Sequence, residues 1–160
     1  MILGYILITI LVILDYGLKK IFSTIYLLDQ TELIIKGVLR LGHIRNFGAS
    51  FGMLEGFHLL FFFITIIALV IFGYFFSKSD FKNKKVYSIA FTFLIAGTFG
   101  NAIDRLFYGY VIDYIQVPFL PIVGNTFFNL ADALLNVGVV LLIIDILFLE
   151  SKRNEKNETN

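Results

Sequence analysis

Four long apolar runs dominate this chain and leave few architectures open to it. They lie at about 2–18, 57–76, 86–104 and 128–149, and a membrane-spanning helix needs ~20 mostly apolar residues. Of the 160 residues, 58% are hydrophobic and only 16% are charged. A soluble domain of this length needs more polar surface than that. The expected fold class is an all-α membrane protein with four transmembrane helices. It forms one unit over 1–150, with an outer loop at 19–56 and a short polar tail at 151–160. The first run has no basic residues ahead of it, and no small-x-small cleavage site follows it. It is expected to stay in the protein as a helix rather than leave as a signal peptide.

Composition removes several function classes. The net charge of +1 gives no footprint for nucleic acid. The absence of cysteine excludes disulfides, thiolate metal sites and cysteine nucleophiles. His43 and His58 are the two histidines, too few for an imidazole-rich metal centre, and no metal or cofactor is expected. No internal repeat is visible, which argues against a transporter built from repeated halves.

Basic residues near the helix ends set the orientation. Loop 77–85 carries Lys78, Lys82, Lys84 and Lys85, and the tail adds Lys152, Arg153 and Lys156. Loop 19–56 spreads Lys19, Lys20, Lys36, Arg40 and Arg45 over a longer stretch, and loop 105–127 holds only Arg105. Both termini are expected to be cytoplasmic, with the tail disordered.

On that topology the unusual polar residues gather at one end. Asp15 and Lys19, at i and i+4, close the first apolar run, and Asn46 lies in the long loop. Asn101, Asp104 and Arg105 close the third helix, Asp113 follows in the next loop, and Asn129 and Asp132 open the fourth. Asn129, Asp132 and Asn136 follow i, i+3, i+7 and so share a helix face. Such a stripe is expected to face the bundle interior or a wet cavity. Gly97, Asn101 and Asp104 make a similar stripe on the third helix, where Gly97 and Gly100 allow close helix approach.

Structural readings compete with functional ones at each position. Asp132 suits a helix N-terminus as a cap or dipole partner as well as it suits chemistry. Asp104 and Arg105 fit a structural charge pair, Asp15 and Lys19 a snorkelling interfacial pair, and Asp145 an anchor at the opposite end. His58 fits a structural position at the membrane interface. Asp113 has no such explanation, because GYVIDYIQVPF surrounds it with apolar residues and no nearby base. Pro118 and Pro121 keep its segment from continuing as a helix, so it can sit at the membrane edge within reach of Asp132.

Two carboxylates in a low-dielectric site titrate as a pair, one holding a proton while the other acts as a base. This is the aspartic-protease arrangement, and it needs no metal. Ser50 and Ser88 have no histidine or lysine at a suggestive spacing, and GASFG is not a nucleophile elbow. A proton-coupled transport or channel subunit would also carry intramembrane carboxylates, but spread through the depth of the membrane. A scaffold or lipid-binding subunit would leave Asp113 without a role.

The ordered motifs DYGLK at 15–19, NFGASFG at 46–52, GNAIDR at 100–105, GYVIDYI at 109–115 and FNLADA at 128–133 together resemble lipoprotein signal peptidase, the signal peptidase II family of bacterial membrane aspartyl proteases. The resemblance spans the chain except the tail. It implies a catalytic dyad of Asp113 and Asp132, with Asp15, Lys19, Asn46, Asn101, Asp104, Arg105 and Asn129 lining or supporting the site. It further implies a substrate: a prolipoprotein carrying diacylglyceryl on its lipobox cysteine, cut just before that cysteine. The implied setting is the bacterial cytoplasmic membrane, with the active site at the outer face, membrane lipids as neighbours, and a monomer. A small β-cradle is implied in the first outer loop, and the partial alternation and glycine turn of 29–56 suit it.

Overall fold

The computed structural model describes residues 1–48, 58–121, 124–151 and 153. Ser50, the second half of NFGASFG, Lys152, Lys156 and most of the tail therefore lie outside the described residues. In chain order the elements are α1 (Ile2–Ile25), β1 (Thr31–Ile35), β2 (Leu39–Asn46), α2 (His58–Phe76), α3 (Lys85–Tyr108), β3 (Val111–Gln116) and α4 (Leu130–Ile144). A π-helical turn, Asp145–Leu149, prolongs α4.

The described residues are mostly helical with one small sheet. Among them three helices are long and apolar enough to cross a membrane: Ile2–Ile25, Lys85–Tyr108 and Leu130–Leu149. α2 stands where the second apolar run predicts it, with a shorter described apolar stretch, Leu60–Phe76. Large apolar side chains such as Ile13, Phe63, Val140 and Leu147 are exposed, far beyond what a water-soluble surface carries as scattered residues.

α3 is the hub of the bundle. It packs against α1, α2 and α4, and 56% of its apolar window is buried, against 17% for α1 and for α4. Glycine makes the α3–α4 contact close: a Cβ on Gly97 would stand 2.5 Å from the Ala131 carbonyl oxygen. On α4, Gly138 faces Leu94 in the same manner, at 3.0 Å. Phe76, Phe91, Leu94 and Ile95 fill the apolar core between α2 and α3.

Two helix ends differ from expectation. α1 runs on to Ile25, well past Leu18, because Asp15 and Lys19 find partners inside the bundle and do not end the helix. α3 likewise continues past Asp104 to Tyr108 and stops at Gly109, whose φ of 77° makes the left-handed turn that favours glycine.

The sheet has the antiparallel order β1-β2-β3. The β1–β2 hairpin turns at Gly37, with φ 74°, as the alternation in 29–56 predicts. Its third strand comes from outside the first loop: β3 pairs with β2 from Arg40↔Gln116 to Asn46↔Val111. The apolar run VIDYI, barred from helix by the prolines after it, supplies that strand. β3 is in turn tied to the approach to α4, since Ile115 N–H donates to the Phe128 carbonyl at 3.0 Å and Phe128 N–H donates to the Ile115 carbonyl at 2.8 Å. Thus Asp113 on β3 is held beside the first residues of α4.

Candidate active site

The N-terminus of α4 organises the polar cluster. Asn129 is its N-cap, with an extended φ of −129°, and forms a reciprocal capping box with Asp132. Asp132 N–H donates to Asn129 Oδ1 at 2.9 Å, and Asn129 N–H donates to Asp132 Oδ2 at 3.2 Å. The capping reading of Asp132 is therefore correct for one of its oxygens. The other, Oδ1, accepts from Asn101 Nδ2 at 2.7 Å.

Asn129 is fully buried and also reaches the second carboxylate. Its Nδ2 donates to Asp113 Oδ1 at 2.7 Å, and it lies 3.2 Å from Asn101 Oδ1 and 3.3 Å from the Ile112 carbonyl. Asn46, at the end of β2, donates to Asp113 Oδ2 at 2.9 Å. Both oxygens of Asp113 thus accept from amides, while Asp113 itself is buried. Burial and the nearby Asp132 charge push the Asp113 carboxyl up to about 7, although the two amides pull it down.

Behind these residues lies a buried ionic core. Lys19 Nζ stands 2.8 Å from Asp15 Oδ2 and 3.0 Å from Asp104 Oδ2. It also donates to Asn101 Oδ1 at 3.1 Å and to the Gly100 carbonyl at 3.3 Å. Lys19, Asp15 and Asp104 are each 1% exposed, so the snorkelling reading of Asp15 and Lys19 is wrong. The ammonium is held by partners on α3, and a buried charge persists only when paired in this way. Asp15 Oδ1 accepts from Ala131 N–H at 2.9 Å, and Asp104 Oδ2 accepts from Ile112 N–H at 3.0 Å. Each carboxylate therefore fixes the backbone beside one of the two front aspartates.

The expected Asp104–Arg105 pair does not form, because neighbours in a helix point to different faces. Arg105 Nη2 donates to the Gly48 carbonyl at 3.3 Å, and its guanidinium lies 4.8 Å from the centre of the Phe61 ring. Its charge still acts across to Asp132 and Asp113.

Of the stripe predicted at Asn129, Asp132 and Asn136, the first two join the polar cluster and the third does not. Asn136 is exposed and donates to the Asp132 carbonyl of its own helix at 2.8 Å. Four residues beyond Asp132 on α4, it keeps to that side of the helix but lies a turn past the buried cluster. Asp145 is more than an interfacial anchor: it is 1% exposed and forms a two-pronged bond with Arg153, both contacts at 2.7 Å.

Sequence reasoning missed Tyr114. Its hydroxyl accepts from Leu130 N–H at 3.1 Å, another orphan donor of the α4 N-terminus. Its ring stacks on Phe22 at 4.4 Å, and burial pushes its phenol upward. In sequence Tyr114 reads as ordinary strand packing, because its hydroxyl partner at the start of α4 lies sixteen residues away. Among the described residues no group of three or more acidic or histidine side chains could hold a metal ion.

A helical membrane protein with two amide-held carboxylates at one end of its bundle is the class that this fold and site define. Residues 7–148 match the family model described as Signal peptidase (SPase) II. The lipoprotein signal peptidase of Enterococcus faecalis is 38% identical over 158 residues, covering 98% of this chain and 96% of that protein. That of Staphylococcus aureus (strain Newman) is 39% identical over 147 residues, covering 91% and 88%. Two solved structures described as bacterial membrane enzymes superpose with TM-scores of 0.78 and 0.79, at 37% and 35% identity. They match 90% and 91% of this chain, and 87% and 93% of their own. The chain belongs to the signal peptidase II family and is a membrane peptidase.

Proposed function

We propose that this chain removes the signal peptide from diacylglyceryl-modified prolipoproteins, cutting before the lipidated cysteine, with Asp113 and Asp132 as its catalytic dyad. The observation that carries the proposal is that one asparagine, Asn129, bonds both carboxylates. It holds them as a pair with differing surroundings, and such a pair divides the acid and base roles.

In the reaction the ionised member takes a proton from a water as that water attacks the scissile carbonyl. The protonated member gives its proton to the carbonyl oxygen. Collapse of the tetrahedral intermediate breaks the C–N bond, and the proton gained from water passes to the leaving amine. Asn101 and Asn46 hold the outer oxygens of the two aspartates so that the pair need not reorganise. Lys19 fixes Asn101 by its oxygen, which leaves the Asn101 amide free to donate to Asp132. Asp15, Asp104 and Arg105 support the pair as described above.

In this reading α2 is a fourth transmembrane helix, 1–150 is one peptidase domain, and both termini are cytoplasmic. The site and sheet then face outward, and the enzyme works as a monomer among membrane lipids. The test is incubation of the purified protein with a lipobox peptide that carries diacylglyceryl on its cysteine, followed by gel shift. Cleavage of this peptide and not of its unlipidated twin supports the assignment, and cleavage of neither contradicts it.

A further inference from the structure

One turn beyond Asp132, α4 carries a polar residue that the buried cluster does not use. Leu130–Leu149 is long and apolar enough to cross a membrane, and Asn136 is the single polar residue among the exposed residues described in α4. The others are Val137, Val139, Val140, Ile143 and Ile144. Asn136 stands about 9 Å along the axis from the start of the helix, too far for so short a side chain to snorkel back to the headgroups.

Its own helix satisfies only part of the amide. Asn136 Nδ2 donates to the Asp132 carbonyl at 2.8 Å. An asparagine amide has two N–H donors and an oxygen with two lone pairs. One N–H and the whole of Oδ1 therefore have no partner among the described residues. Polar groups left unpaired in hydrocarbon are costly, and lipid-facing helix surfaces rarely carry them. What remains, one donor beside one acceptor, is the complement of a backbone peptide group.

The substrate brings such a group to this place. That step rests on the proposed function, in which a signal peptide is cut at Asp113 and Asp132. The apolar part of a signal peptide lies on the amino side of the cut, so it runs from the carboxylates into the membrane. In a helix each peptide group is held by its intrahelical bonds, and the chain has to leave its helix around the point of cleavage. The N–H and C=O groups it frees there find no partners in lipid. Asn136 is about 6 Å deeper than Asp132 on α4, and an extended chain covers that distance in about two residues.

We propose that Asn136 is a substrate-binding residue, whose amide pairs with the backbone of the signal peptide about two residues before the scissile bond.

The test is equilibrium binding of a fluorescent lipobox peptide, diacylglyceryl-modified on its cysteine, to the full chain in neutral detergent. The chain carries Asp113→Asn so that no cleavage intervenes. Adding Asn136→Leu, an exposed change checked for unchanged thermal unfolding, is expected to weaken binding about tenfold, as loss of such hydrogen bonds does. Val137→Leu is expected to change nothing. Backbone esters placed one at a time along the peptide then remove single N–H groups. About two residues before the cut, the ester is expected to weaken binding when Asn136 is present and to have no effect after Asn136→Leu. Equal affinities with and without Asn136→Leu, or ester penalties that ignore Asn136 at every position, overturn the inference. Cleavage of the same peptide by the wild-type chain separates the two readings. Cleavage with equal affinities overturns the binding role alone. Binding that depends on Asn136, to a peptide that the wild-type chain leaves whole, overturns the proposed function and keeps the binding role.

Discussion

The amide of Asn129 donates to Asp113 at 2.7 Å across the gap between α4 and β3, while its backbone and its side-chain oxygen cap Asp132. A single side chain thus sets the relative position of two carboxylates that lie far apart in sequence. Its removal acts on both at once.

Asn129→Ala is expected to lower kcat by about ten- to a hundredfold with a smaller effect on KM. It deletes a hydrogen bond to a charged group, worth about 1.5–3 kcal/mol, and a helix cap worth about 1 kcal/mol. Steady-state cleavage of a lipidated peptide checks the kinetic effect, and thermal unfolding in detergent checks the loss of the cap.

Lys19→Met leaves Asp15 and Asp104 buried without their shared cation. Breaking a buried ionic cluster by removing one partner costs about 3–5 kcal/mol. The variant is expected to unfold at a markedly lower temperature. Adding Asp104→Asn should recover part of the loss, because it removes one of the two orphaned charges. Thermal unfolding of the single and double variants reads this coupling directly. A double variant no more stable than the single one would contradict it.

The raised Asp113 gives the enzyme an alkaline limit. Below about 7 the site keeps a proton on Asp113, and cleavage proceeds. Above that the pair loses its acid, so kcat/KM is expected to fall about tenfold per pH unit. Stability follows the same group: its folded value, about 7, lies above its ordinary 3.8. The folded chain therefore binds the proton more tightly than the unfolded one. The stabilisation is complete below the ordinary value and is lost as pH rises through about 7. Thermal unfolding across that window should show the decline, and Asp113→Asn should flatten it.

Much of the fold and site is legible in the sequence because membrane constraints are coarse and periodic. The apolar runs locate the helices, and Asp113 stands out because its neighbours give it no local partner. Partners across the bundle are not legible. Nothing near Lys19 in sequence says that it pairs with Asp104, so an interior ionic core reads as an interfacial pair. The third strand is hidden for a similar reason, since β3 gains its identity from β2, which lies far from it in sequence. Asn136 shows a different limit: the spacing puts it on the side of α4 that carries Asp132, but does not say that the buried cluster ends before it.

The central claim is that Asp113 and Asp132 together perform the cleavage. Single-turnover cleavage of a diacylglyceryl-modified lipobox peptide by purified Asp113→Asn and Asp132→Asn, each shown to be folded, tests it most directly. The dyad predicts that each variant loses activity by about a thousandfold or more, and that the double variant loses little beyond either single one. Near wild-type cleavage by either folded variant would contradict it.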